Sequence, residues 1–392
     1  MHPGFWLLAI VAVLSLAVVL LLLAGGWPAR RRYLAPWDPR YASRFSDPRT
    51  RVVAHAMLAP NSHNMQAWTV RLDPQDRATF WLHADPRRLT PLVDPYARQT
   101  TLSQGTFLEF AAVAARHLGY RASIALFPLG EYDASGHPAD MKEKPVARVT
   151  LEESGESGHP LYRHLFAPHT WRVPYLREQL THAQLQELLA LNAEDELQLV
   201  LYHDPSEVQR LGALALAAAQ VEGDLARITE DNQRLFRANE RQKNAYRYGF
   251  SLEGQGMSGL PMYLLQGLMT VLPALNSAAA ARRSFLQLTR EAIAHTPMYG
   301  LIRSRGNSRT LQVKAGVLYA RAQLHLAGMG FALHPLSQAL QEYPEMSDLY
   351  RAIHQEFAGP GETIQMLFRV GRPLRPVPRS MRRDAMCIVV GS

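Results

Sequence analysis

The chain has 392 residues, enough for one large domain or two ordinary ones, and its 47% hydrophobic and 19% charged residues describe an ordinary globular protein. The net charge of +8 does not read as a nucleic-acid footprint, because the arginines are scattered outside Arg30-Arg31-Arg32 and the basic tail, and neither an aromatic–basic run nor a Cys/His finger spacing occurs. One cysteine, Cys387, excludes an intrachain disulfide and a thiolate metal cluster, and fits a reducing compartment.

Phe5 to Ala24 contains nothing more polar than Ser15, the length that a helix needs to cross the hydrocarbon core at about 1.5 Å per residue. Met1-His2-Pro3-Gly4 lacks the basic residue of a signal peptide, and Gly25-Gly26-Trp27-Pro28 is a poor cleavage site. Residues 1–33 therefore read as a transmembrane anchor with a basic flank; the charge bias of Arg30-Arg31-Arg32 puts the following domain in the cytoplasm. Residues 34–50, with Pro36, Pro39 and Pro48, read as a linker.

A short helix carried by Val52, Val53, Ala56 and Met57 then ends before Pro60, which biases Ala59 away from helical angles. The segment that follows, Pro60-Asn61-Ser62-His63-Asn64-Met65-Gln66-Ala67-Trp68, sets Ser62, Asn64 and Gln66 two residues apart, offering donors and acceptors suited to the edge of a planar heterocycle. The same spacing also describes a polar capping loop before a strand. Strands are expected at 69–72 and 79–83, turns at Asp85-Pro86 and Asp94-Pro95, a helix over 103–118, and strands over 122–127 and 146–151. Gly136-His137-Pro138 and 154–158 read as loops. A second unit begins near His159, with a helix over 181–191, a strand over 197–202 and a helix after Pro205. The apolar run near 256–281 is broken by Pro261, Gln266, Pro273 and Asn276; it reads as a buried or lid-like insertion that could rest on a membrane surface. The clearest helix spans 313–327, and Met366, Phe368 and Val370 alternate in a strand that ends at Gly371.

Fifteen histidines invite a metal reading, but His159, His164 and His169 do not share a helical face and no HExxH occurs. Gly306-Asn307-Ser308-Arg309 is not a nucleophile elbow, and glycine-rich dinucleotide or P-loop patterns are missing.

The 60–68 segment resembles the flavin-edge segment of the nitroreductase superfamily, with Ala67 in place of the usual proline before the tryptophan. His169-Thr170-Trp171-Arg172 is similar to its phosphate-binding arginine box, matching at Thr170 and Arg172 but carrying Pro168 and His169 where arginines usually stand. The order of the segments resembles the fused-dimer, Acg-like branch, in which one polypeptide supplies both halves of the usual dimer. The resemblance implies an α+β fold: a nitroreductase-like sheet with flanking helices, repeated as a pseudo-dimer with halves over 51–158 and 159–385. It implies FMN held by Ser62, Asn64 and Gln66 at the ring edge or ribityl chain, by Thr170, Arg172 and Arg379 at the phosphate, and by the backbone of Leu336, Ser337 and Gln338 near the reactive nitrogen, with Gly371 ending the returning strand. It further implies ping-pong transfer from NADH or NADPH to an electron-poor acceptor such as a nitroaromatic or quinone, with no catalytic side chain and no metal, because the flavin carries the chemistry. A homo-oligomer of the two-half chain is compatible with this arrangement. The alternatives are a flavin storage protein without turnover and a non-flavin membrane scaffold.

Overall fold

The computed structural model describes residues 3–136 and 138–390, so Met1, His2 and His137, which fell in the expected N-terminal and 136–138 segments, lie outside it. Helix α1 (Pro3–Gly25) is long and apolar enough to cross a membrane. The stretch 34–50 runs as short 3-10 turns laid on the body of the protein, with Trp37 and Tyr41 buried. Asp47 caps α2 (Pro48–Ala56), accepting from Arg49 N at 2.8 Å.

The fold is mixed α+β with two sheets. Strands β1 (Trp68–Leu72), β2 (Thr79–Ala84), β3 (Tyr120–Leu126) and β4 (Ala147–Glu153) form an antiparallel sheet in the order β3-β4-β2-β1. The second sheet is antiparallel in the order β5-β6-β8-β7, built from β5 (Leu197–Tyr202), β6 (Met298–Arg305), β7 (Ala332–Pro335) and β8 (Glu362–Gly371). The chain ends back on the first sheet, where β9 (Val389–Val390) pairs parallel with Val70 and Arg71 of β1.

Helix α3 (Arg98–His117) lies on the first sheet and α11 (Arg309–Gly328) on the second, with α4 (Pro138–Glu143) near the first. Helix α3 begins five residues earlier than its apolar pattern predicts. Asp94, expected only as a turn residue, accepts from Gln99 N and Thr100 N at 3.0 and 2.9 Å and so satisfies the first turn. Ser308 does the same for α11, accepting from Leu311 N at 3.2 Å. The two helices cross with backbones in contact: a Cβ added at Gly105 would lie 1.8 Å from Val313 O, and one at Gly316 would lie 1.9 Å from Leu102 O. Val313, Ala320 and Leu324 of α11 join the core under the first sheet, while Leu102 of α3 joins the core under the second.

The other helices pack around the second sheet or lead to it. These are α5 (His182–Leu189), α6 (Pro205–Asp224), α7 (Ala226–Leu235), α8 (Glu240–Tyr246), α9 (Gly259–Val271), α10 (Ala278–Ala294) and α12 (Ser347–Phe357). The apolar run near 256–281 becomes α9, a 3-10 turn over 273–276 and the start of α10. Helix α9 packs directly against the C-terminal half of α1, where Leu22 joins a small core of Leu252, Met262, Tyr263 and Met269.

The glycine crossing yields a direct test. Gly105→Ala forces a methyl into a backbone carbonyl and should lower the unfolding free energy by about 1–3 kcal/mol or more, read as a drop in Tm; an unchanged Tm would show that the helices can separate freely.

Candidate functional site

Helices α3 and α11 form part of one wall of a cavity of about 560 Å3, through Leu102, Ser103, Thr106 and Tyr319. The volume lies within the about 300–1,000 Å3 typical of small-molecule and cofactor sites. Four separate stretches of sequence meet on it: 60–64, 168–172, 334–338 and 378–382, and the apolar side is completed by α9 and α10.

The 60–66 loop is held in an unusual conformation. His63, Asn64 and Gln66 have φ of 52°, 52° and 51°, a left-handed geometry that non-glycine residues adopt only when their surroundings over-determine it. Those surroundings come mainly from the C-terminal tail. Arg382 donates to Asn64 Oδ1 at 2.9 Å, to Leu58 O at 2.8 Å and to Ala59 O at 3.2 Å, and its guanidinium lies 4.8 Å from the ring centre of Trp37. Asn64 Nδ2 donates to Gly249 O and Met381 O, both at 3.2 Å. Gln66 is fully buried; it donates to Arg247 O at 2.8 Å and accepts from Arg383 N at 2.8 Å. Ser62 Oγ contacts Gln99 Oε1 at 3.2 Å and His63 Nδ1 at 2.9 Å.

Of the residues expected at a cofactor, Ser62, Asn64, Thr170, Arg172, Leu336, Ser337 and Gln338 lie together on the cavity wall, whereas Gln66, Gly371 and Arg379 do not. Gln66 staples the loop to the tail. Gly371 lies under Tyr175, where an added Cβ would come within 2.5 Å of Tyr175 Cδ2. Arg379 sits over Trp37, 5.7 Å from its ring centre, and the tail arginine that reaches the cavity is Arg382. Spacing alone could not separate Arg379 from Arg382, because the tail has no periodic structure.

The cations on the wall differ in how they are compensated. Arg282 pairs with Asp224, and both terminal nitrogens of Arg382 donate to carbonyl and side-chain oxygens. Arg172 has neither arrangement: its one hydrogen bond runs from Nη1 to Gly254 O at 2.9 Å, and burial beside Arg369 lowers its pKa. Arg369 is fully buried behind it, donating to Val173 O, Trp171 O and Ala292 O and to His334 Nδ1 at 3.0 Å. This side of the cavity is thus rich in positive charge, and among the described residues neither Arg172 nor Arg369 has a carboxylate within ion-pair distance, Glu291 acting on Arg369 only from further away. His169, standing at a position where an arginine was expected, is held neutral by burial, its pKa pushed well below 6.5, between Trp37 and Phe110.

Five buried polar atoms on the wall have no partner among the described residues: His169 Nε2, Tyr319 Oη, Gln338 Oε1, Gln341 Oε1 and Arg382 Nε. Buried polar atoms are normally satisfied, and these five lie among the residues that line the cavity. The sequence carried no signal for Tyr319, which lies on the core face of a regular helix.

A scan against protein-family models finds no match, and no curated protein matches the chain. Solved structures resemble it. A nitroreductase with bound FMN from Bacteroides fragilis NCTC 9343 aligns at 8% identity with a TM-score of 0.34, over 59% of this chain and 100% of that one. An FMN- and NADPH-dependent nitroreductase from Sphigopyxis sp. strain HMH aligns at 15% identity and TM-score 0.33, over 56% and 95%. Oxidized iodotyrosine deiodinase bound to FMN and 3-iodo-L-tyrosine aligns at 14% and 0.31, over 57% and 94%. A likeness at this level fixes nothing about the site; what this chain binds must be read from its own cavity.

Glu222 offers a titration that reports on that cavity. It is buried on the wall, Gln341 Nε2 donates to its Oε2 at 3.2 Å, and burial raises its pKa from 4.5 to about 7. A carboxyl with a raised folded pKa binds its proton more tightly in the fold, so stability is lost as pH rises from about 4.5 to about 7 and stays lost above. Glu222→Gln should therefore stabilise the protein by about 2–3 kcal/mol at pH 8 and hardly at all at pH 4, measured by denaturant unfolding at both pH values.

Proposed function

We propose that the protein is a membrane-anchored FMN-dependent oxidoreductase of nitroreductase type. The observation that carries this reading is Arg172, a half-buried guanidinium with no carboxylate partner among the described residues, on the wall of a cavity of cofactor size. A partly desolvated cation of this kind is stabilised by an anion, and a forked guanidinium suits a phosphate. Thr170 would add a hydroxyl beside it.

The remaining donors fit a flavin. The backbone over Ser337 and Gln338 opens a 3-10 turn, whose first N–H groups lack an intrahelical acceptor, while Leu336 N donates to Leu367 O at 2.9 Å and fixes the start of the turn. Ser62, Asn64, Tyr319 and Gln338 would face the ring system or ribityl chain. FMN would supply two-electron redox chemistry there, taking hydride from NADH or NADPH and passing it to an electron-poor acceptor such as a nitroaromatic or quinone. The protein's own work is to bind, orient and exclude water. Asn64, locked by Gly249, Met381 and Arg382, sets the position of the loop, and the apolar wall from α9 and α10 keeps the site dry.

We further read the two sheets, each with its long helix, as fused halves of a pseudo-dimer. Their support is the reciprocal glycine contact between α3 and α11 and the return of β9 to the first sheet. The anchor reading draws on α1, whose C-terminal turns pack on the folded domain; the charge bias of Arg30-Arg31-Arg32 would then put that domain in the cytoplasm.

Replacing Arg172 with Ala should weaken FMN binding by about 10- to 100-fold, corresponding to one lost charge-assisted hydrogen bond, and Asn64→Ala should also shed flavin while the fold persists. Flavin content by absorbance and folding by circular dichroism check both. Full FMN occupancy in both variants would reject the assignment.

A further inference from the structure

We propose that the cavity opens into the acyl-chain region of the bilayer and draws its electron acceptor, a quinone carrying a long apolar chain, from the membrane rather than from water. The proposal rests on the flavin and anchor readings above and adds the acceptor's class and its route.

The geometry begins with α1 and α9. A Cβ at Gly25 would lie 2.2 Å from Tyr263 O, and one at Gly267 would lie 1.9 Å from Leu21 O. Backbone contact at small residues is how helices pack closely in lipid. These two contacts set an antiparallel register in which the residue numbers of facing positions sum to 288. Continued to the end of α9, that register brings Val271 level with Ala17. At about 1.5 Å per residue, this is about 12 Å toward the N-terminus of α1 from Gly25. If α1 spans the membrane, the far end of α9 lies inside the hydrocarbon.

The side chains agree with that depth. Val271, Leu272 and Leu275 are all about half exposed, as is Leu260 at the start of α9. Such a patch needs a cover, and the helix that already packs on α9 indicates which one: the lipid that surrounds α1. The near end of α9 is held by polar groups instead. Lys243 is fully buried between Glu240 and Glu253. Gln266, with its amide turned to satisfy both partners, donates to Gly25 O at 2.9 Å and accepts from Lys243 Nζ at 2.8 Å. Arg31 reaches Tyr263 Oη. The polar end of the contact thus lies at the level of the basic flank, as an interface requires.

The cavity is continuous with this patch. Met269 and Leu275 line it from the α9 side, and Ala281, Phe285 and Leu288 line it from α10. Leu275 is both a wall residue and one of the exposed apolar side chains, so the mouth and the patch coincide there. An acceptor entering between α9 and α10 passes Leu275, Phe285 and Leu288, set among Asn276, Arg282 and Ser284, before it reaches Arg172, Tyr319 and Gln338. The apolar side chains fit a long hydrocarbon tail and the polar wall beyond them a planar polar head. The exchange balances: NAD(P)H and one proton reduce the quinone to the quinol, two electrons and two protons passing by way of the flavin.

The test uses the full chain in phospholipid vesicles. In a Cys387→Ser background, a nitroxide is placed at Leu272→Cys and, as an aqueous reference, at the exposed Leu129→Cys. The label at 272 should collide preferentially with oxygen, and the label at 129 with a water-soluble nickel chelate; an aqueous signature at 272 overturns the proposal whatever the flavin content. In parallel, NADPH-driven reduction of a decaprenyl-chain quinone in the vesicles is compared with reduction of a water-soluble benzoquinone. Leu272→Arg should cut the long-chain rate by about tenfold or more and leave the benzoquinone rate and FMN content unchanged. Equal rates on the long-chain quinone in the variant and the parent contradict the route. A lipid-buried label in a protein that takes up no FMN would reject the flavin reading, and with it the quinone, while leaving the membrane portal standing.

Discussion

The structure depends on one contact, the crossing of α3 and α11 at Gly105 and Gly316, where neither helix has room for a methyl group. Because the backbones touch, each helix belongs to both cores, and the two sheets are fixed relative to each other by packing rather than by the chain between them. The same crossing supplies Leu102, Ser103, Thr106 and Tyr319 to the cavity. Segments more than 300 residues apart in sequence, such as Asn64 and Arg382, meet beside it. The position of the site is thus a consequence of how closely two helices approach.

Charge then distinguishes buried cations that look alike in sequence. Lys243 is buried but paired with two carboxylates, which makes it a structural cation joining α8 to the segment over 253–255. Arg382 is buried and satisfied by oxygens of the 58–64 loop and the tail, which makes it the clamp that holds His63 and Asn64 at positive φ. Arg172 is the exception, half-buried beside Arg369 with one carbonyl acceptor among the described residues. A partly desolvated guanidinium with spare donors is a point at which an anionic ligand gains charge-assisted hydrogen bonds. Backbone strain and unpaired charge lie on the same cavity, as expected where local stability gives way to function.

Much of the architecture was legible because it rests on local rules. The strand over 197–202 and the helix ending before Pro60 follow from alternation and proline, and the segments 60–68, 168–172 and 336–338 are legible in the sequence although their convergence is not. What could not be read depended on distant partners. Strand β6 was missed because Gly300 interrupts its apolar run, and that glycine exists to admit the ring of Phe368, with an added Cβ only 2.3 Å from Cε2. The early start of α3 depends on Asp94 folding back as a cap. Gln66 shares its spacing with Ser62 and Asn64, yet the left-handed turns around it rotate its amide into the tail. In the 256–281 stretch the pattern showed an apolar element broken by prolines, but only contact with α1 reveals that this element lies along the candidate membrane helix.

The central claim is that the unpaired guanidinium of Arg172 waits for the phosphate of FMN. The most direct measurement is a calorimetric titration of flavin-free protein with FMN and, separately, with riboflavin, which has the same ring and ribityl chain but no phosphate. The account predicts that FMN binds at least about tenfold tighter, one charge-assisted hydrogen bond's worth, and that Arg172→Ala erases the difference. Equal affinities for the two flavins, or binding of neither, would contradict it.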